Sequence, residues 1–210
     1  MKLEGKYVFN GPREEVWELV RDPDVLVTAL PGTKSLNQVS ENEYEGEMNV
    51  RVGPVAGAFS GRIVVSDEVP PESYTLTVDG KGKPGFAKGA GHVQLIDQGD
   101  GTTLMKYEGE VQIGGRLASV GQRLIDSVSK SMLRQGLEAL NKALQARMAA
   151  KSEGQDEINY KPPSEAEFAA TVAKDVAGKM LSSSQMIWVV VAVVIVIAIV
   201  SVIWFSRGGG

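Results

Sequence analysis

The sequence predicts an α+β domain in which a curved antiparallel sheet of about seven strands wraps around one long C-terminal helix, enclosing a hydrophobic cavity, with a transmembrane helix beyond it. Three patterns carry this. Between Thr33 and Gly114 apolar residues alternate with polar ones in runs separated by turn signals, the period of half-buried strands. From Gly115 to Ala150 the period lengthens to three and four residues, that of an amphipathic helix. Near the C-terminus, Ile187 to Phe205 (IWVVVAVVIVIAIVSVIWF) holds no charge and one hydroxyl, Ser201.

The elements follow in order. KLEGKYVF places Leu3, Gly5, Tyr7 and Phe9 on one face of a first strand. After Asn10, GPREEVWELV reads as a short helix with Pro12 near its start and acids in its first turn. DPDVLVTAL (Asp22 to Leu30) reads as a second, stopped by Pro31-Gly32. Turn signals at Glu41-Asn42, Gly53-Pro54, Pro70-Pro71, Lys83-Pro84-Gly85 and Gly99-Asp100-Gly101 then cut the chain into about six strands at hairpin spacing. Leu117, Val120, Leu124, Val128 and Met132, then Leu133, Leu137, Leu140 and Leu144, form the stripe of one long helix.

Residues 1–150 are therefore the ligand-binding domain. Residues 151–185 form a linker, polar up to Lys161-Pro162-Pro163, that includes an amphipathic helix over 164–181. There Ser164 and Glu167 fit a capping box, and Phe168, Val172, Val176 and Met180 share a stripe suited to a membrane surface or a partner. Residues 186–206 are the span: at 1.5 Å per residue the apolar run is about 28 Å long, close to the bilayer's hydrocarbon thickness. Trp188 and Trp204 stand at its two ends, where amphipathic rings favour the headgroups. The charged, alternating N-terminus lacks the apolar core of a secretory signal, which places the first domain in the cytoplasm of a tail-anchored, single-pass protein.

The remaining composition narrows function by exclusion. Net charge is −4 with interspersed signs, so no nucleic-acid footprint is expected. The absence of cysteine removes disulfides, thiolate metal sites and cysteine nucleophiles. The single histidine, His92, alternates with Val93 and faces away from the core, and Glu45, Glu47, Glu108 and Glu110 read as solvent-face charges. No metal motif, nucleophile elbow or phosphate loop is present, and no catalytic set is assigned.

Glycine placement is more informative. Gly61, Gly80, Gly89, Gly91 and Gly109 each share the apolar face of their strand, where a packed core wants a side chain. Either they let a strongly curved sheet bend, or they leave a hollow beneath the helix, or both. The predicted lining is Met48, Val50, Val52, Phe59, Ile63, Tyr74, Leu76, Val93, Leu95, Met105, Tyr107, Leu117, Val120, Leu124 and Val128. Leu26 and Leu30 cover one end, and Phe86, in the glycine-rich KGKPGFAKG, forms a rim. Tyr74 and Tyr107 are positioned to orient a polar ligand head by hydrogen bonding.

Three blocks, ALPGTKSL (Ala29 to Leu36), RVGPVAGAFSGRIVV (Arg51 to Val65) and GTTLMKYEGEVQIGGRLASVGQRLI (Gly101 to Ile125), resemble the CoxG family of carbon monoxide dehydrogenase subunits over residues 1 to about 148. The order of elements is similar to the helix-grip fold of START-type and polyketide-cyclase-type (SRPBCC) domains. The resemblance implies an accessory protein with an internal hydrophobic pocket and no redox cofactor of its own. It implies a role in recruiting a molybdenum-containing carbon monoxide dehydrogenase, or a related molybdenum hydroxylase, to the membrane and linking it to the respiratory quinone pool. The expected ligand is an isoprenoid quinone, menaquinone or ubiquinone. Two other readings stay open: a purely structural anchor or assembly factor, and a cyclase-like enzyme sharing the fold.

Overall fold

The computed structural model describes residues 1–30 and 32–153, with the isolated helical positions 170 and 174. The chain divides into two compact units, residues 1–169 and 170–210; within the second only Ala170 and Lys174, both exposed, are described. Apart from Ala170 and Lys174, the predicted 164–181 helix lies outside the described residues, as does the transmembrane segment. Among the described residues, no helix is long and apolar enough to cross a membrane.

Seven strands form one antiparallel sheet: β1 (Lys2–Phe9), β2 (Thr33–Ser40), β3 (Glu43–Val52), β4 (Val55–Val69), β5 (Ser73–Gly82), β6 (Gly85–Asp97) and β7 (Thr103–Gly114). Their order is β1-β7-β6-β5-β4-β3-β2, so the meander runs straight across and β1 closes its far side against β7. The predicted turns fall between these strands, and each connection is short enough to fix register locally. Between β1 and β2 come α1 (Arg13–Leu19) and α2 (Pro23–Ala29). Asp22 caps α2, its Oδ1 accepting from the amides of Asp24 and Val25 at 3.1 and 3.3 Å, and Pro23 supplies a preset φ at the first helical position. Beyond α2, Gly32 at φ +82° turns the chain so that its carbonyl accepts from Asn49 N at 2.7 Å, docking the start of β2 on β3.

The helical stripe predicted from Gly115 is broken in two. Gly115–Val120 form a 3-10 helix, and α3 (Gln122–Glu153) begins only after Gly121, whose φ of +91° interrupts the helical path. The cause is tertiary: Leu117 N donates to Pro84 O at 2.8 Å, so this segment is held by the β5–β6 turn instead of by helical bonds to α3. Leu117 and Val120 therefore do not belong to the long helix. At its other end α3 runs to Glu153, and Lys151 pairs with Glu15 of α1 at 2.6 Å.

Phe9, Val16, Leu19, Leu95 and Leu144 are fully buried or nearly so, and they join β1, α1, β6 and α3 into the main core. The buried Thr103 hydroxyl donates to Gly11 O at 2.7 Å, tying β7 to the β1–α1 connection. Val52, Val55, Phe59, Leu117, Ile125 and Val128 are buried outside that cluster. Leu124 approaches the β3–β4 turn, its Cδ2 lying 2.9 Å from where a Cβ on Gly53 would stand. The space between sheet and α3 is thus filled at both ends by side chains.

Candidate ligand cavity

Between the two fillings lies a cavity of about 480 Å³, within the ~300–1,000 Å³ range of pockets that take drug-sized molecules. Its walls come from β4–β7 on one side and from Leu133, Leu137 and Leu140 of α3 on the other. Leu26 and Leu30 of α2, with Val20, contribute a further wall. The floor is β6 from Ala87 to Val93, where Gly89 and Gly91 alternate with outward-facing residues, so that the main chain itself lines the space.

Of the residues predicted from sequence, Leu26, Leu30, Ile63, Tyr74, Leu76, Val93, Met105 and Tyr107 line this cavity. Leu95 is buried in the main core; Val52, Phe59, Leu117 and Val128 are buried in the second cluster. Val120 and Leu124 are half-buried, as are Met48 and Val50 on β3, and none of the four lines the cavity. Phe86 sits on the outer face of β6, where its ring occupies the space that a Gly114 side chain would need, and it also lines no part of the cavity.

Lining residues absent from the prediction include Leu3, Leu36, Tyr44, Val65, Val78, Val111 and the α3 trio. Their signal was present only in part: Val65, Val78 and Val111 share the apolar faces of their strands, whereas Leu133 and Leu137 each stand nine residues, about two and a half turns, beyond Leu124 and Val128 and so face a different side of α3. What the pattern lacked was the phase of the helix along the sheet.

The inward glycines divide by what surrounds them. Gly46, Gly61 and Gly80 face one another across β3, β4 and β5, and Gly91 faces Gly109 across β6 and β7. A Cβ on Gly61 would stand 2.8 Å from Asp79 O, and one on Gly109 2.7 Å from Ala90 O; at Gly89 the distance to Glu110 O would be 2.4 Å. Backbone of the neighbouring strand fills the side-chain position, which is what a sharply curved sheet requires. Gly89, Gly91 and Gly109 also line the cavity, so bending and hollowing coincide there.

One end of the cavity is polar. Arg21 reaches its wall and pairs with Glu68, so the guanidinium charge is already compensated. Turning the Asn42 amide so that its nitrogen donates brings that nitrogen 2.8 Å from Glu68 Oε1. Arg21 also lies 5.4 Å from the Trp17 ring centroid, and Trp17 meets Tyr74 edge-on at 5.6 Å. Tyr74 is buried, and burial drives its phenol pKa well above the ordinary tyrosine value despite the opposing pull of Arg21. Neutral at any physiological pH, Tyr74 is a hydrogen-bond donor at a buried wall. Burial raises Tyr107 in the same direction.

His92 and Glu108 are exposed, and their side chains belong to the outer face of the sheet. Asp97 is exposed at the end of β6. Among the described residues no group of three metal-ligating side chains gathers.

The sequence matches the family model of CoxG, a carbon monoxide dehydrogenase subunit, over residues 5–145. Among solved structures, a conserved protein of Geobacillus kaustophilus is 30% identical with a TM-score of 0.67, covering 69% of this chain and 95% of that one. The Zhui aromatase/cyclase of Streptomyces sp. R1128 (12% identity, TM-score 0.54, covering 72% and 97%) shares the fold. So does a START superfamily protein of Mycobacterium smegmatis (10% identity, TM-score 0.54, covering 69% and 97%). No match was found among curated proteins.

Proposed function

Since the chain belongs to the CoxG family of carbon monoxide dehydrogenase subunits, we propose that it is a non-enzymatic accessory protein whose domain carries an apolar, lipid-like ligand, an isoprenoid quinone, in the cavity between sheet and α3. The observation that carries the reading is the cavity itself: about 480 Å³, apolar along its length and polar at one end. Apolar surface gains roughly 25 cal/mol per Å² on leaving water, so such walls favour a hydrocarbon occupant. The polar end favours a neutral head. Arg21 is neutralised by Glu68, leaving no free cation at that end, among the described residues, to balance a buried carboxylate, whereas the Tyr74 hydroxyl can donate to a quinone carbonyl. The ring and the first part of the chain fill the cavity and the rest of an isoprenoid chain leaves by its mouth.

In this reading the partner is carbon monoxide dehydrogenase or a related molybdenum hydroxylase, which holds the redox cofactors. The apolar segment 187–205 anchors the protein in the cell membrane, and the carried quinone links the dehydrogenase to the respiratory pool. An anchor that never uses its cavity would give the same family membership, so the test must address the cavity. Residues 1–153, incubated with membranes and repurified, should yield an isoprenoid quinone by lipid mass spectrometry. Leu133→Trp, which fills the cavity from α3, should abolish that recovery while membranes still recruit the dehydrogenase to the full-length variant. Recovery of no long-chain apolar molecule from several membrane preparations would sink the ligand reading.

A further inference from the structure

The antiparallel order sends successive turns to opposite ends of the sheet, and the two ends carry opposite charge. At the α1–α2 end, the β2–β3, β4–β5 and β6–β7 turns bring acids such as Glu41, Asp67, Glu72, Asp97 and Asp100. The other end holds the β3–β4 and β5–β6 turns, the 3-10 helix, the start of β2 and the first turn of α3. Lys34, Arg51, Lys81, Lys83, Arg116 and Arg123 project there, all exposed and, among the described residues, none in an ion pair. Over residues 111–126, 80–88, 48–58 and 32–36 the sole acid is Asp126. Arg123 even adds a positive charge to the first turn of α3, which has no acid, against the helix dipole.

The mouth, the more exposed part of the cavity's lining, lies on the side nearer the same end, short of the buried Phe59, Leu117 and Val128. Along β5 its lining goes from buried Tyr74 through half-buried Leu76 to Val78, 39% exposed. Along β6 it goes from buried Val93 to half-buried Ala87, and along α3 from buried Leu137 to half-buried Leu133. Phe86, also 39% exposed, lies across from Lys81 in the β5–β6 ladder.

We propose that this end of the domain is a docking surface for an anionic lipid bilayer, against which the cavity mouth is held. An acidic protein would answer the charge alone. A bilayer interface answers the charge, the exposed aromatic ring beside lysine, and an apolar mouth that needs an apolar phase to exchange with. The same chain carries the uncharged stretch 187–205, which keeps such a phase close. Docking does not depend on what the cavity carries, so its failure and that of the quinone reading are separate results.

The Geobacillus kaustophilus structure, aligned across 95% of its own length, covers 69% of this chain, close to the share that residues 1–153 make up. This domain should float with vesicles of phosphatidylcholine plus phosphatidylglycerol, float far less with phosphatidylcholine alone, and be released by salt. At about fivefold per lysine or arginine near an anionic surface, the triple variant Lys81→Glu/Lys83→Glu/Arg116→Glu should bind at least about a hundredfold more weakly. Lys34→Glu/Arg51→Glu/Arg123→Glu should do the same through different residues. Lys6→Glu/Lys106→Glu, bases of β1 and β7 outside the patch, should bind as the parent does. Circular dichroism checks that each variant is folded. Indifference to phosphatidylglycerol, or equal losses in the Lys6/Lys106 control, overturns the proposal and leaves an acidic protein surface as the patch's partner.

Discussion

At Gly61 an added methyl would stand 2.8 Å from Asp79 O, whereas at Gly80, its direct partner on β5, the nearest atom would be Ala87 O at 3.6 Å. The two residues look alike in sequence, inward glycines on apolar faces, but they carry different constraints. Gly61→Ala must push β4 and β5 apart and should cost about 1–3 kcal/mol by chemical denaturation. Gly80→Ala makes an ordinary contact and restricts the unfolded chain, so it should be neutral or stabilise by about 0.4–1 kcal/mol. Tyr74 gives a second test at this scale. Its folded pKa lies above the unfolded value, so above about pH 10 the unfolded state releases its proton first and stability falls as pH rises. Tyr74→Phe keeps the contact with Trp17 and should flatten that alkaline decline by up to ~1.4 kcal/mol per pH unit, read from denaturation midpoints. Tyr7 and Tyr107 are raised in the same direction, so part of the slope should survive.

Among the elements, β1 to β7 were legible because strand period and turn chemistry agree at every boundary, from Glu41-Asn42 to Gly99-Asp100-Gly101. The junction at Gly121 was not. Its neighbours keep a helical period, and only the bond from Leu117 N to Pro84 O, a contact between segments distant in sequence, separates the 3-10 helix from α3. The lining suffered from the same blindness. Leu124 and Leu133 have equal apolar character, but the first meets the β3–β4 turn and the second the hollow. How far α3 slides along the sheet is set where it is clamped, by Leu144 against Gly11 and by Arg147 and Lys151 reaching Glu18 and Glu15. Leu144→Ala, at a fully buried site, should cost about 2–5 kcal/mol. Lys151→Ala, breaking a half-exposed pair, should cost less than about 1 kcal/mol. A reversed ranking in urea denaturation would mean that α3 is held by charge and not by packing.

For the whole molecule, the cavity is a deliberate deficit. A domain of this size that leaves about 480 Å³ between sheet and helix forgoes contacts that would otherwise stabilise it. A ligand that binds only the folded state returns that stability by mass action, roughly 2.7 kcal/mol at a hundredfold excess over its dissociation constant. Thermal melting of residues 1–153 should therefore rise with added short-chain quinone in a concentration-dependent way. Leu133→Trp, which substitutes a side chain for the ligand, should melt at a temperature that no longer responds. The comparison with a fatty acid of similar apolar area separates wall from head. If Tyr74 and the neutralised Arg21–Glu68 pair select the occupant, the quinone should stabilise far more than the carboxylate, and Tyr74→Phe should narrow that gap. Equal stabilisation by both would mean that the apolar walls alone decide what is carried.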